Sequence, residues 1–115
     1  MLPRDLDLVV VKAPSSLGRD ANGTWSAALR DTKAAIDGAF PVDAALLGCG
    51  AYGLPLAAHV VSRGASAVYV GGGLQLLFGI MGRRWADRAE IAAVARASWV
   101  WTSPAETPAL SLIHI

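Results

Sequence analysis

Ala44-Ala45-Leu46-Leu47-Gly48-Cys49-Gly50-Ala51-Tyr52-Gly53-Leu54-Pro55 is the stretch that decides the fold. Four apolar residues run straight into a G-x-G-x-x-G turn, and the turn opens a helix-type run that lasts to Arg63. Each glycine has a distinct physical role. The first permits a tight turn, the second lets a ligand approach the backbone, and the third lets helix and strand pack closely. Free N–H groups at the helix start attract phosphate. Pro55 fits the first helical turn, where its missing N–H has no helical partner. The stretch therefore predicts a strand over Ala44 to Leu47 and a helix over Gly53 to Arg63, closed by Gly64.

Towards the C-terminus, Ala65 to Val70 reads as another strand, with Val68-Tyr69-Val70 at its core and the triplet Gly71-Gly72-Gly73 behind it. Leu74 to Ile80 reads as a short apolar helix and Arg83-Arg84-Trp85 as a polar exit. Asp87 to Ser98 is an alanine-rich helix with Ile91, Val94 and Ala95 on one face, and Trp99-Val100-Trp101 begins an irregular tail. Towards the N-terminus, Leu6 to Val11 is a β-branched run that predicts a buried strand, followed by a loop over Ser15 to Asn22. Thr24 is placed to cap a helix in which Trp25, Leu29, Thr32, Ile36 and Phe40 fall near helical spacing, with Gly38 and Pro41 as its stop. Strands alternating with helices mean parallel strands and right-handed crossovers. The expected class is α/β: a Rossmann-like three-layer block, with a short parallel sheet of about three strands and flanking helices, reading as a truncated domain.

Composition narrows the function. The chain has 115 residues, net charge +1, 54% hydrophobic and 17% charged residues and one cysteine. Disordered chains are poor in apolar residues and rich in charge, so disorder is excluded as the general state. Cys49 has no partner within the chain, which excludes a disulfide scaffold. Ten basic residues against nine acidic ones argue against nucleic-acid binding through bulk charge. The remaining oddity is a chain greasier than its size calls for, since small domains expose most of their surface. Between Ala44 and Gly82 the one charge is Arg63, yet glycines and Pro55 break both halves, which is how buried parallel strands read. No membrane span is expected. Met1 is followed by Pro3, Arg4, Asp5 and Asp7 rather than an apolar core, so no signal peptide is read and the expected location is cytoplasmic.

A nicotinamide or flavin dinucleotide site needs an acidic residue about 20 positions beyond the glycines, at the end of the next strand. No Asp or Glu occurs between Asp43 and Asp87, and no arginine stands at that strand end. NAD(P) is therefore disfavoured and the cofactor stays unassigned. A turn closed by glycines for packing alone remains one alternative, an NAD(P)-type domain a second, and a non-catalytic interaction module a third. The leading reading joins two loops. In open parallel sheets ligands sit outside the carboxyl ends of the strands. Gly48, Gly50, Tyr52 and Gly53 from one turn, with Gly72, Gly73 and Gln75 from the other, would cradle a diphosphate or sugar there. Arg83 and Arg84 would add charge.

Other candidates are weaker. Asp5-Leu6-Asp7 has a D-x-D spelling, which is better read as polarity before a strand. His59 reads as a packed helix residue. Cys49 could feel a helix N-terminus but has no histidine base beside it, so it reads as a buried thiol. No Ser-His-Asp order, zinc spacing or Walker lysine occurs, so no metal site and no catalytic residue is assigned.

With these residues in view, the chain resembles the C-terminal portion of a group of uncharacterised bacterial proteins. The likeness covers most of Leu2 to about Pro108. It is carried by Ala45 to Ala58, by Gly71 to Ile80, by Gly82 to Trp85, and by Lys12-Ala13-Pro14-Ser15-Ser16-Leu17-Gly18. That group resembles, more remotely, the GT-D glycosyltransferase fold and is associated with surface polysaccharides. The resemblance implies a nucleotide-sugar or other phosphorylated small molecule as partner, and a missing N-terminal half of the same protein. The acidic metal motif of those enzymes has no counterpart here.

Residues 1–109 are read as the Rossmann-like block. Leu110-Ser111-Leu112-Ile113-His114-Ile115 is read as a non-native tail, because the hexapeptide matches one frame of a transposon-based sequencing adapter. A fragment of this kind is expected to be marginally stable or aggregation-prone alone.

Overall fold

A computed structural model describes residues 3–13 and 24–103. Helix α1 spans Trp25–Ala39, and Thr24 caps it as expected: its Oγ1 accepts the Ala27 N–H at 3.1 Å. The helix ends where Phe40 turns extended ahead of Pro41. Strand β1 (Ala44–Leu47) leads through a 3-10 turn at Gly50–Tyr52 into α2 (Gly53–Ser62). Gly64, with φ of 91°, reverses the chain into β2 (Ser66–Tyr69). The two strands pair in parallel, Ala44 against Ser66 through Leu47 against Tyr69, so α2 is the crossover between them.

The core forms where α1 and α2 pack against this pair. Ile36, Leu47, Cys49, Tyr52, Leu56, Val60 and Ala65 are buried together, with Leu56 at 1% and Val60 at 0% exposure. Leu56 and Val60 stand four residues apart and so share one face of α2. Leu46 and Val68 point to the other face of the sheet and stay half exposed.

The two helices are also tied by charge. Asp37 Oδ1 of α1 lies 2.8 Å from His59 Nε2 of α2 and 3.4 Å from Nε of Arg63, whose guanidinium covers the Phe40 ring. His59 is therefore a helix-bridging residue. Because the cluster is partly solvated, Asp37→Ala is expected to cost only about 0.5–1 kcal/mol, read as a drop of a few degrees in Tm.

The second half departs from expectation. A 3-10 turn at Gly71–Gly73 leads to α3, which spans only Leu74–Leu77. Gly79, with φ of 70°, breaks the expected helix and starts β3 (Ile80–Met81). The expected helix over Asp87 to Ser98 contracts to α4 (Ala89–Ala92). Trp99-Val100-Trp101 is not the start of an irregular tail, since Val100–Trp101 forms β4, parallel to β3. The chain turns after α4 to make that pairing.

The expected strand over Leu6 to Val11 is also corrected. Its backbone is irregular and its side chains are not buried: Val9 is 59% and Val10 85% exposed. A strand needs ladder partners, and no backbone hydrogen bond joins this segment to the other described residues. The described residues are thus mixed α/β with two parallel strand pairs. Among the described residues no helix is long and apolar enough to cross a membrane. Residues 110–115 and most of the Lys12-to-Gly18 stretch lie outside the described residues.

Candidate functional site

Both glycine turns follow the carboxyl ends of paired parallel strands, so they emerge side by side. A Cβ on Gly48 would stand 2.8 Å from the Gly71 carbonyl oxygen and from Leu74. That separation is below van der Waals contact, so the two loops touch at a point where no side chain fits. Gly50 and Gly71 adopt φ of 54° and 58°, the left-handed region that glycine enters freely. Among the described residues no side chain caps the start of α2 or of the turn before it.

Arg84 reaches this edge from the third loop. A methyl group on Gly72 would overlap its guanidinium. Trp85 lies beneath two arginines, with Arg84 and Arg88 each 5.9 Å from the ring centroid. Gln75 Nε2 packs against Gly82, 2.8 Å from where a Cβ would stand, and so props the start of the Arg83-Arg84 loop. Among the described residues neither Arg83 nor Arg84 has a carboxylate within ion-pair distance. The edge thus gathers Gly48, Gly50, Gly72, Gly73, Gln75 and Arg84 along three adjoining loops, and Arg83 stands exposed beside them.

Two residues behave differently from their neighbours. Tyr52 turns inward, 3% exposed, and stacks on Trp25 with centroids 5.4 Å apart. Gly53 is buried under the Tyr69 ring, whose hydroxyl donates to the Gly50 carbonyl at 2.9 Å. Tyr69 was missed by the sequence reading, although the parallel register setting it opposite Leu47 was implicit in the strand–turn–helix pattern. Its hydroxyl pins the first turn by that carbonyl, which also accepts the Gly53 N–H, while the Tyr52 N–H donates to the Cys49 carbonyl at 3.1 Å.

Cys49 points into the core, and burial pushes its thiol above the ordinary 9.0. The folded chain favours the neutral form, so stability from this group is complete below about pH 9 and falls as pH rises through the folded value. The folded thiol is expected to react with a disulfide reagent at pH 8 at least roughly tenfold more slowly than the urea-unfolded chain. Equal rates would show an accessible, activated thiol. Among the described residues no group of three or more His, Cys, Asp or Glu is arranged to hold a metal ion.

A groove of about 350 Å³ lies away from the glycine loops, between Leu8, Leu77, Phe78, Gly79, Arg96, Ser98 and Trp99. It opens at the amino ends of β3 and β4, the edge of a parallel sheet that ligands do not ordinarily use. Comparison with protein-family models, with curated proteins and with solved structures finds no match to this chain.

Proposed function

We propose that this chain is a Rossmann-like ligand-binding domain of a glycosyltransferase-like protein, holding a nucleotide-sugar or related phosphorylated small molecule in the cytoplasm for surface-polysaccharide assembly. The observation that carries this reading is the contact of the two glycine turns at Gly48 and Gly71, with the Arg84 guanidinium, which has no carboxylate within ion-pair distance among the described residues, across Gly72. Nothing lies within 4 Å of the Cβ positions of Gly71 and Gly73, so a ligand can approach the backbone there. The dipole at the amino end of α2 and the Arg84 guanidinium both favour an anion. A diphosphate matches that set in charge. The chemistry such an edge supplies is positioning of the donor and neutralisation of charge on a leaving diphosphate.

A thermal-shift panel tests this. UDP-, GDP- and CMP-sugars are set against NAD(H) and NADP(H). Stabilisation by at least one nucleotide-sugar is the expected result. Arg84→Glu should then weaken the responding ligand by about ten- to a hundredfold, the worth of one charged hydrogen bond. A response to the nicotinamide cofactors alone would replace this reading with a dinucleotide-binding domain. Silence across the panel would favour a module that binds a macromolecule.

A further inference from the structure

The groove beside β3 and β4 has a lining unlike that of the glycine edge. Its volume is about 350 Å³. Small-molecule sites run from roughly 300 to 1,000 Å³ and combine an apolar wall with a few polar groups that fix orientation. Leu8, Leu77, Phe78 and Trp99 give this groove its apolar and aromatic residues, and Arg96 and Ser98 its polar ones. Gly71–Gly73 precede α3 whereas Leu77 to Gly79 end it, so the groove and the glycine turns lie at different ends of that helix.

Backbone contacts set the wall that carries Trp99. Gly79, with φ of 70°, turns the chain out of α3. The indole lies directly against it: a Cβ on Gly79 would stand 3.1 Å from Trp99 Cδ1 and 3.3 Å from Nε1. The Trp99 N–H donates to the Arg96 carbonyl, and the Val100 N–H to the Gly79 carbonyl, each at 2.9 Å. Trp99 is therefore held between the Arg96 turn and Gly79 without any ligand, which lowers the ordering cost of binding.

The chemistry of the lining is one-sided. Arg96, Ser98 and Trp99 all carry side-chain donors, and no Asp, Glu, Asn or Gln is among the described residues that line the groove. Arg96 has no carboxylate within ion-pair distance among the described residues. Among those residues neither the Ser98 hydroxyl nor the Trp99 indole N–H makes a hydrogen bond. A guanidinium with neutral donors beside it matches a single negative charge, and the Phe78 and Trp99 rings match a flat apolar body.

We propose that this groove is a second ligand site, and that it takes a small aryl carboxylate. The carboxylate lies on Arg96 with Ser98 as a further donor, and the ring lies along Phe78 and Trp99. One fixed positive charge favours a carboxylate over a doubly charged phosphate. The site does not depend on the phosphorylated-ligand reading of the glycine edge.

Two-dimensional NMR on the whole chain tests this, with 3-phenylpropionate as the probe, 3-phenylpropionamide as its uncharged counterpart and octanoate as an aliphatic one. Saturable shifts are expected with 3-phenylpropionate at the amides of Phe78, Gly79, Ser98 and Trp99 and at the Trp99 indole N–H. The uncharged probe should bind about tenfold more weakly, the worth of one hydrogen bond to a charged group. Arg96 is exposed, so Arg96→Gln should fold as the parent does. It should weaken 3-phenylpropionate by about the same factor and leave 3-phenylpropionamide unchanged. Equal binding of the charged and uncharged probes, or an unchanged 3-phenylpropionate affinity in Arg96→Gln, would overturn the carboxylate assignment. Tighter binding of octanoate would overturn the aryl one. No saturable shift at the groove, or shifts scattered over exposed apolar residues such as Val9, Val10 and Leu54, would overturn the site itself.

Discussion

Leu56→Ala is expected to destabilise the chain by about 2–5 kcal/mol, the range for truncating a fully enclosed leucine. Leu56 is 1% exposed and sits on the face of α2 that meets β1, β2 and α1. Its neighbours one turn away, Gly53 and Val60, are also buried, so no loose side chain stands ready to fill the space. The core is small, and one cavity removes a large share of total stability. Urea unfolding followed by tryptophan fluorescence measures the effect, because Trp25 stacks on the core residue Tyr52. Leu54→Ala is the control. It lies on the same helix at 70% exposure, and its midpoint should move by no more than about 0.5 kcal/mol. Equal effects at positions 54 and 56 would mean that α2 does not pack as described.

The same helix shows what local sequence can and cannot reveal. Around Gly48 every signal agrees. The apolar run, the glycine spacing, Pro55 in the first turn and Gly64 at the end all favour one geometry, and β1, α2 and β2 fall within a residue or so of expectation. Thr24 marks the start of α1 for the same reason: a capping oxygen acts within three residues. Beyond Gly73 the deciding forces are not local. The alanine-rich run over Asp87 to Ser98 has high helix propensity and no internal breaker, yet only Ala89–Ala92 is helical. Pairing of Val100 with Ile80 outweighs propensity there, and the backbone turns at Ala93-Val94 to allow it. Trp99-Val100-Trp101 carried the β-type composition but lacked the length that marks a strand.

The candidate site was legible in its backbone and less so in its side chains. Gly48 and Gly72 converge because the parallel pair β1–β2 delivers its following loops to one edge, and Arg84 reaches them from the loop after β3 of the other pair. Tyr52 occupies the variable slot of the glycine motif, where a ligand contact is a natural reading. The structure turns it towards Trp25, a partner 27 positions earlier whose orientation depends on how α1 lies over α2. Periodicity within either segment does not report that angle.

Gly48→Ala and Gly48→Val should separate the two glycine turns, with the larger effect for valine. The added Cβ would meet the Gly71 carbonyl oxygen at 2.8 Å, and that atom belongs to backbone, which cannot swing aside as a flexible side chain would. Relief requires the Gly71–Gly73 turn or β1 itself to move, at about 1–3 kcal/mol for alanine. Gly38→Ala provides the opposite sign. Nothing lies within 4 Å of its Cβ position in α1, so alanine there should stabilise by about 0.5–1 kcal/mol through helix propensity. Thermal melts of the two alanine variants therefore diverge although the chemical change is identical. The divergence extends to binding. If the contacting turns hold the ligand, Gly48→Ala should weaken any responding nucleotide-sugar by tenfold or more, whereas Gly38→Ala should leave its affinity unchanged. Unaltered affinity in a folded Gly48→Val chain would remove the first turn from the binding edge and leave the arginine loop as its base.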